Sequence, residues 1–362
     1  MIKTAIKDLQ PGAVNAMPVF SKSGQMILPA HSLLTSQQIS RLEFYGIEWV
    51  NIQEEPSDAE QITPPEQEEF TTYSQKLRKS KEFHMFKVDY NKKTNLLKSS
   101  INDVITKNAD VDSNSLIQQV SSLYTNHLTS LSVFDMLHNM RQIDDSTFAH
   151  SVNVALISRM LGGWLHLSED DLDILTLAGL LHDIGKCVIN TKVLLKPGPL
   201  TPLEYAEVKR HPTAGAKLLA SQSLDSRIQE AALMHHERCD GSGYPSGLQR
   251  TEISEFAKIL AIADVYDAMT SNRCYRKGLC PFEVIATFER EGLEKYETEY
   301  ILTFLTHIID SYMGNSVLLN DGSIGNVLMI NQRRLSRPLI RLTNNEYIDL
   351  MKRPDLHIQA II

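Results

Sequence analysis

The chain has 362 residues, 42% hydrophobic and 22% charged, with a formal net charge of -8. That is room for two or three domains with a real core, and the acidic balance argues against indiscriminate binding to nucleic acid or to an anionic membrane, so an anionic ligand must meet a local cluster of cations or metal ions. The four cysteines, Cys187, Cys239, Cys274 and Cys280, form no C-x-x-C pair; with no apolar run of about 18 residues and no signal-like N-terminus, they point to free thiols in a cytoplasmic, unanchored protein.

Residues 1–55 alternate short apolar runs with turns. Ala13–Phe20 and Met26–Pro29 flank a Lys22-Ser23-Gly24 turn, a helical stretch runs from Thr35 to Tyr45, and Ile47–Ile52 closes a small α+β domain. Glu54–Glu69 is acidic and carries Pro56, Pro64 and Pro65, which marks an exposed linker. Residues 56–139 are expected to be this linker followed by long helices, since Glu68 to about Met140 is polar and nearly free of glycine and proline. Leu116, Val120, Leu123, Leu128 and Leu131 recur there at loose helical spacing. Two partners suit that stripe: a second copy of the chain, giving a homodimer through residues 68–140, or the next domain of the same chain.

Residues 140–313 predict an all-helical domain, with helices over His150–Leu161, Asp170–Leu181, Pro202–His211, Ala214–Ala220, Ser226–His236, Glu255–Met269, Pro281–Arg290 and Glu297–Tyr312. After Gly314 the period changes to two. Val317–Leu319, Gly325–Ile330, Pro338–Leu342 and His357–Ile361 read as strands of a β-rich segment, 314–362, with Asn320-Asp321-Gly322 as a hairpin turn. The fold class is mainly α, with a small α+β domain before the helices and a small β appendage after them.

The chemistry concentrates in the helical domain. Leu180-Leu181-His182-Asp183-Ile184-Gly185-Lys186 closes a strongly apolar helix, where a histidine, an aspartate and a lysine are costly to bury unless they meet one another or a metal. Imidazole and carboxylate suit iron, manganese or zinc, and a carboxylate can bridge two cations, so Asp183 is the natural bridge. Lys186, three positions on, is placed to hold a phosphate oxygen. Alone, the string is equally a helix ending at a Gly-Lys cap with an exposed aspartate. Further strings weigh against that. His211-Pro212 ends one predicted helix, and His235-His236-Glu237 ends another before the loop Asp240-Gly241-Ser242-Gly243-Tyr244-Pro245. Asp264 lies inside an apolar helix that reads Ala263-Asp264-Val265-Tyr266-Asp267, and His150 precedes Val154, Ile157 and Leu161 on one stripe. Seven nitrogen and oxygen donors on five helices, with no thiolate, suit two borderline-to-hard metals. Isolated histidines such as His166 and His307 are surface or satisfied core residues.

The strings HDIGK at 182–186, HHE at 235–237, DGSGYP at 240–245 and ADVYDAMTSNRCYR at 263–276 resemble the HD-GYP family, the cyclic-dinucleotide branch of the HD metal-dependent phosphohydrolases, over about residues 140–313. The resemblance implies that His150, His182, Asp183 and Asp264 serve one metal and Asp183, His211, His235 and His236 the other. It places Lys186 on the substrate phosphate, Tyr244 in the signature loop beside the pocket, and Arg273 and Arg276 on phosphate or guanine. Some members hold a third metal with a glutamate four residues before the first histidine; Ser146 stands there, so a dinuclear site, iron or manganese, is expected. The implied reaction is hydrolysis of cyclic di-GMP to pGpG or GMP. The alternatives are hydrolysis of cyclic GMP-AMP and a scaffold that binds cyclic dinucleotide without turnover.

Overall fold

The computed structural model describes residues 2–20, 26–28, 32, 34–35, 38–39, 42–43, 47–53, 73–125, 130–140, 147–196, 198–271 and 278–362. The turn expected at Lys22-Ser23-Gly24 and the linker at 54–69 lie outside them, as do Leu128, Ser146, Arg273 and Arg276. So does much of the helix expected from Thr35 to Tyr45. The chain falls into two compact units, Met1–Phe70 and Thr71–Ile362.

In the first unit β1 (Ile2–Ala5) pairs antiparallel with β4 (Trp49–Ile52), and β2 (Val19–Phe20) with β3 (Met26–Leu28). Ile6, Leu9, Leu28, Leu34, Leu42 and Val50 form its core. The outer strand Ile2–Ala5 was not expected from the sequence. Its partner is nearly fifty residues away, and a four-residue strand has too little periodicity to announce itself alone.

The second unit opens with α1 (Tyr73–Lys79), α2 (Lys81–Lys107), α3 (Ser113–Thr125) and α4 (Ser130–Met140). Ser80 caps α2 by accepting from the Phe83 amide. Leu116, Val120 and Leu123 are buried and join Phe86, Tyr90 and Leu97 in one core with the helices that follow, so these three residues of the stripe pack within the chain. Next come α5 (Thr147–Trp164), α6 (Glu169–Leu181), α7 (Thr191–Leu194), α8 (Pro202–Val208), α9 (His211–Leu219), α10 (Ser226–Met234), α11 (Glu255–Thr270), α12 (Pro281–Thr287) and α13 (Thr298–Ser311). Helices α5, α6 and α11 are apolar nearly all round, as buried central helices must be. Each fully buried Leu or Ile in them, such as Leu156 and Ile157, contributes about 1.5–3 kcal/mol of transfer free energy.

Two helix ends differ from expectation. His211 begins a helix rather than ending one: Pro212, lacking an amide proton, belongs in a first turn, where no partner is needed. The helix from Pro281 gives way to a π-helical turn at Phe288–Gly292. The chain finishes in an antiparallel sheet ordered β8-β7-β6-β5-β9, from β5 (Ser316–Leu319), β6 (Ile324–Met329), β7 (Leu339–Leu342), β8 (Tyr347–Asp349) and β9 (Ile358–Ile361). Strand β8 was missed because Asn344, Asn345 and Glu346 beside it read as loop. Val317, Leu319, Val327 and Ile340 bury their side chains in the same core as the helices.

Candidate metal centre

Five helices converge on one cluster. His150 comes from the first turn of α5, His182 caps the C-terminus of α6 and Asp183 follows it. His211 opens α9, His235 caps α10 with His236 next, and Asp264 lies in mid-α11. Gly185 is what lets the turn after Asp183 close on α9: a Cβ there would lie 2.0 Å from the His211 carbonyl oxygen and 2.5 Å from the Gly215 amide nitrogen. Gly243 plays the same part for the signature loop, where a Cβ would lie 2.4 Å from both the Glu237 Cα and the Arg238 nitrogen.

The orientation of the rings is fixed by what each Nδ1 meets. His182 Nδ1 donates to the Gly179 carbonyl at 2.7 Å, His211 Nδ1 to Val208 at 2.8 Å and His235 Nδ1 to Ala232 at 2.9 Å. A proton on Nδ1 leaves Nε2 as a bare lone pair. Those lone pairs face other acceptors: His211 Nε2 is 3.3 Å from His235 Nε2 and 3.2 Å from Asp183 Oδ1, and His182 Nε2 is 3.3 Å from Asp183 Oδ2. His182 Nε2 and Asp183 Oδ1 are buried with no hydrogen-bond partner. Acceptor against acceptor at such distances is repulsive unless a cation lies between, so the donor set fits metal ions.

His150 is held differently. Its Nδ1 donates to Asp267 Oδ2 at 2.7 Å, and its Nε2 stands 3.0 Å from Asp264 Oδ1. Asp267 in turn accepts from Asn153 Nδ2 at 3.0 Å, and Asn153 Oδ1 accepts from the Tyr90 hydroxyl of α2 at 2.7 Å. A carboxylate behind a ligating imidazole fixes its ring and raises its basicity. Neither Asp267, Asn153 nor Tyr90 was singled out from the sequence. The available signal was the spacing of three in Asp264-Val265-Tyr266-Asp267 and in His150-Ser151-Val152-Asn153, which puts each pair on one face of its helix.

The donor atoms fall into two groups, His150, His182 and Asp264 in one and Asp183, His211, His235 and His236 in the other, each lying within 4.8 Å of one another. Asp183 also reaches the first group, with Oδ2 3.8 Å from His150 Nε2. All seven residues predicted as ligands are therefore together. Burial raises the Asp183 carboxyl, but the Lys186 ammonium and the His182 imidazole outweigh it and hold the carboxyl well below its ordinary range. Asp264 is likewise low, burial being overcome by His150 and His236. Burial and the neighbouring rings keep His235 neutral, and burial takes His236 down to about 3. Burial also lowers His150, yet hydrogen bonds to Asp264 and Asp267 push it up to about 9. Ionised carboxylates and neutral imidazoles are the protonation states that bind metal, and at His150 two carboxylates invite a positive charge, whether proton or metal.

Lys186 pairs with Asp183 Oδ2 and is 27% exposed at its side chain, so it is the cation at the mouth of the cluster. Tyr244 stacks on His236, ring centroids 4.6 Å apart at 26°. Glu237, buried to 2%, accepts from the amides of Ser246 at 2.7 Å and Leu248 at 3.0 Å and so ties the signature loop to the end of α10. The HHE string carried that glutamate without a role.

Residues 121–299 match the HD domain family. The chain is 35% identical over 228 residues to a cyclic di-GMP phosphodiesterase of Pseudomonas aeruginosa, an alignment covering 63% of this chain and 54% of the relative. It is 41% identical over 145 residues to the 3'3'-cGAMP-specific phosphodiesterase 1 of Vibrio cholerae, covering 40% and 34%. The chain thus spans about half or less of the length of these relatives. In fold it is similar to Bd1817, an HDG"Y"P protein from Bdellovibrio bacteriovorus, at 16% identity and a TM-score of 0.51 over 84% of this chain and 97% of that one. Residues 121–299 thus carry an HD domain, and the HDIGK, HHE and GYP strings that resemble the HD-GYP branch are gathered around one cluster in it.

Proposed function

We propose that the chain hydrolyses a phosphodiester bond of a cyclic dinucleotide, cyclic di-GMP in the first place, at two divalent metal ions, iron or manganese. One would be held by His150, His182 and Asp264, the other by His211, His235 and His236, with Asp183 shared. The observation that carries this reading is the Asp183 carboxylate, whose Oδ2 faces His150 and His182 while its Oδ1 faces His211 and His235. A metal pair in such a site lowers the pKa of water toward about 7 and neutralises the charge of the phosphodiester.

The chain's own groups do the rest. Lys186 takes a non-bridging phosphate oxygen and offsets the charge that grows on it. Tyr244 walls the site over His236 and keeps its phenolic proton, because burial pushes its pKa up. Arg273 and Arg276 are assigned, by family resemblance, to phosphate or guanine. The substrate class is supported by the relatives' own activities; the 41% identity to a 3'3'-cGAMP-specific enzyme favours cyclic GMP-AMP as the second reading. Hydrolysis of one ester gives pGpG, and of both, GMP.

The test is elemental analysis of anaerobically purified protein together with turnover of both cyclic dinucleotides. The expected result is about two metals per chain, from the count of charged ligands, and cleavage of cyclic di-GMP. Two bound metals with no turnover of either substrate would make the chain a binding scaffold instead.

A further inference from the structure

A cyclic dinucleotide carries two phosphates and two bases, and Asp183 and Lys186 can meet only the phosphate that is cleaved. The following inference rests on the function proposed above and concerns the other half of that substrate. A row of rings leads outward from the donor cluster. His236 stacks on Tyr244, the Lys209 ammonium lies 5.9 Å from the Tyr244 ring centroid, and it lies 5.0 Å from that of Tyr205. Lys209 is half-buried, and its ammonium makes no ion pair or hydrogen bond among the described residues. Lys196, which follows α7, behaves otherwise, since it is paired with Glu204 at 2.7 Å. A cation held over aromatic faces, without a carboxylate, keeps its full charge for an incoming anion.

Tyr205 is 49% exposed although its helix is rigidly set. Helix α8 starts with a complete capping box between Thr201 and Glu204, with Pro202 in its first turn, and Glu204 is further tied to Lys196. An exposed ring on a fixed element is a stacking platform for a base, which needs only a π-face of any sequence.

We propose that Tyr205 and Lys209 form a recognition subsite at the rim of the centre: Lys209 binds the phosphate that is not cleaved, and Tyr205 stacks a purine of the same substrate. Both act in binding the cyclic dinucleotide and neither touches the reacting atoms.

The experiment compares wild type, Lys209→Met, Tyr205→Ala and Tyr205→Phe in metal-loaded protein, with cyclic di-GMP and with bis(4-nitrophenyl) phosphate, a diester with one phosphate and no purine. For Lys209→Met and Tyr205→Ala the expected result is a rise in KM for cyclic di-GMP of about ten-fold with kcat little changed. The loss on the nitrophenyl diester should be much smaller, and Tyr205→Phe should behave like wild type on both. Equal losses on the two substrates, or an unchanged KM for cyclic di-GMP, would overturn the subsite while leaving the proposed function in place. Metal lost in proportion to activity in Lys209→Met would also overturn it, making that lysine a prop for His211. Wild-type protein that cleaves the nitrophenyl diester but neither cyclic dinucleotide would remove the proposed function and the subsite together.

Discussion

The two sides of the donor cluster are built by different means. On one, His211 and His235 are oriented by backbone carbonyls at helix C-termini, Val208 of the preceding α8 and Ala232 of α10, as His182 is across the cluster by Gly179 of α6. On the other, His150 is aimed by a side-chain relay through Asp267, Asn153 and Tyr90 that spans three helices. The first device uses acceptors that the helix ends leave unsatisfied anyway. The second buries a further carboxylate, which hydrogen bonds from His150, Asn153 and Ser271 help to compensate. Mutation can therefore dismantle one side without touching the other, and the side around His150 carries the greater negative charge.

Variants can break or sharpen this contrast. Asp183→Ala removes the carboxylate proposed to be shared by the two metals and should abolish turnover and metal pairing while circular dichroism reports intact helices; near-normal hydrolysis under metal-replete conditions would refute the shared role. Lys186→Ala should lower kcat by about 100-fold, as loss of a charged donor to an oxyanion does, with metal content per chain unchanged, so proportional metal loss would recast it as structural. Asp267→Asn weakens only the side around His150, and metal affinity there should fall by about 10–100-fold. Titration with a chelator should then resolve two classes of site, whereas a uniform loss from both would deny the asymmetry. Tyr90→Phe, at the far end of the relay, should be the mildest. It leaves Asn153 Oδ1 short of a donor, lowers stability by about 1–3 kcal/mol in denaturant unfolding, and changes activity less than Asp267→Asn does.

The clustering of these histidines and aspartates was legible in the sequence because each stands where burial would otherwise be penalised, at the end of an apolar helix or, for Asp264, in the middle of one. The helical class of residues 140–313 was legible for the same reason, from apolar periodicity between glycine and proline breaks. Asp267 was not, although it lies in a quoted string, because its role depends on a helix more than a hundred residues away. Tyr205 and Lys209 were invisible too: their meaning comes from the approach of α8 to the signature loop. His211 was seen as a ligand but placed at the wrong end of a helix, since Pro212 punctuates equally well as a stop and as a first turn. Strands β1 and β8 fell below the length at which alternation is readable.

Gly185 makes the spacing of the centre a matter of main chain rather than of side chains. The gap between the turn bearing Asp183 and the helix bearing His211 is set by backbone touching backbone, with no room for one methyl group. Such a contact works as a mechanical stop. Core side chains around it can drift over evolutionary time without altering the gauge of the site, and the tolerance is lost at Gly185, where the smallest possible addition would force the two halves apart.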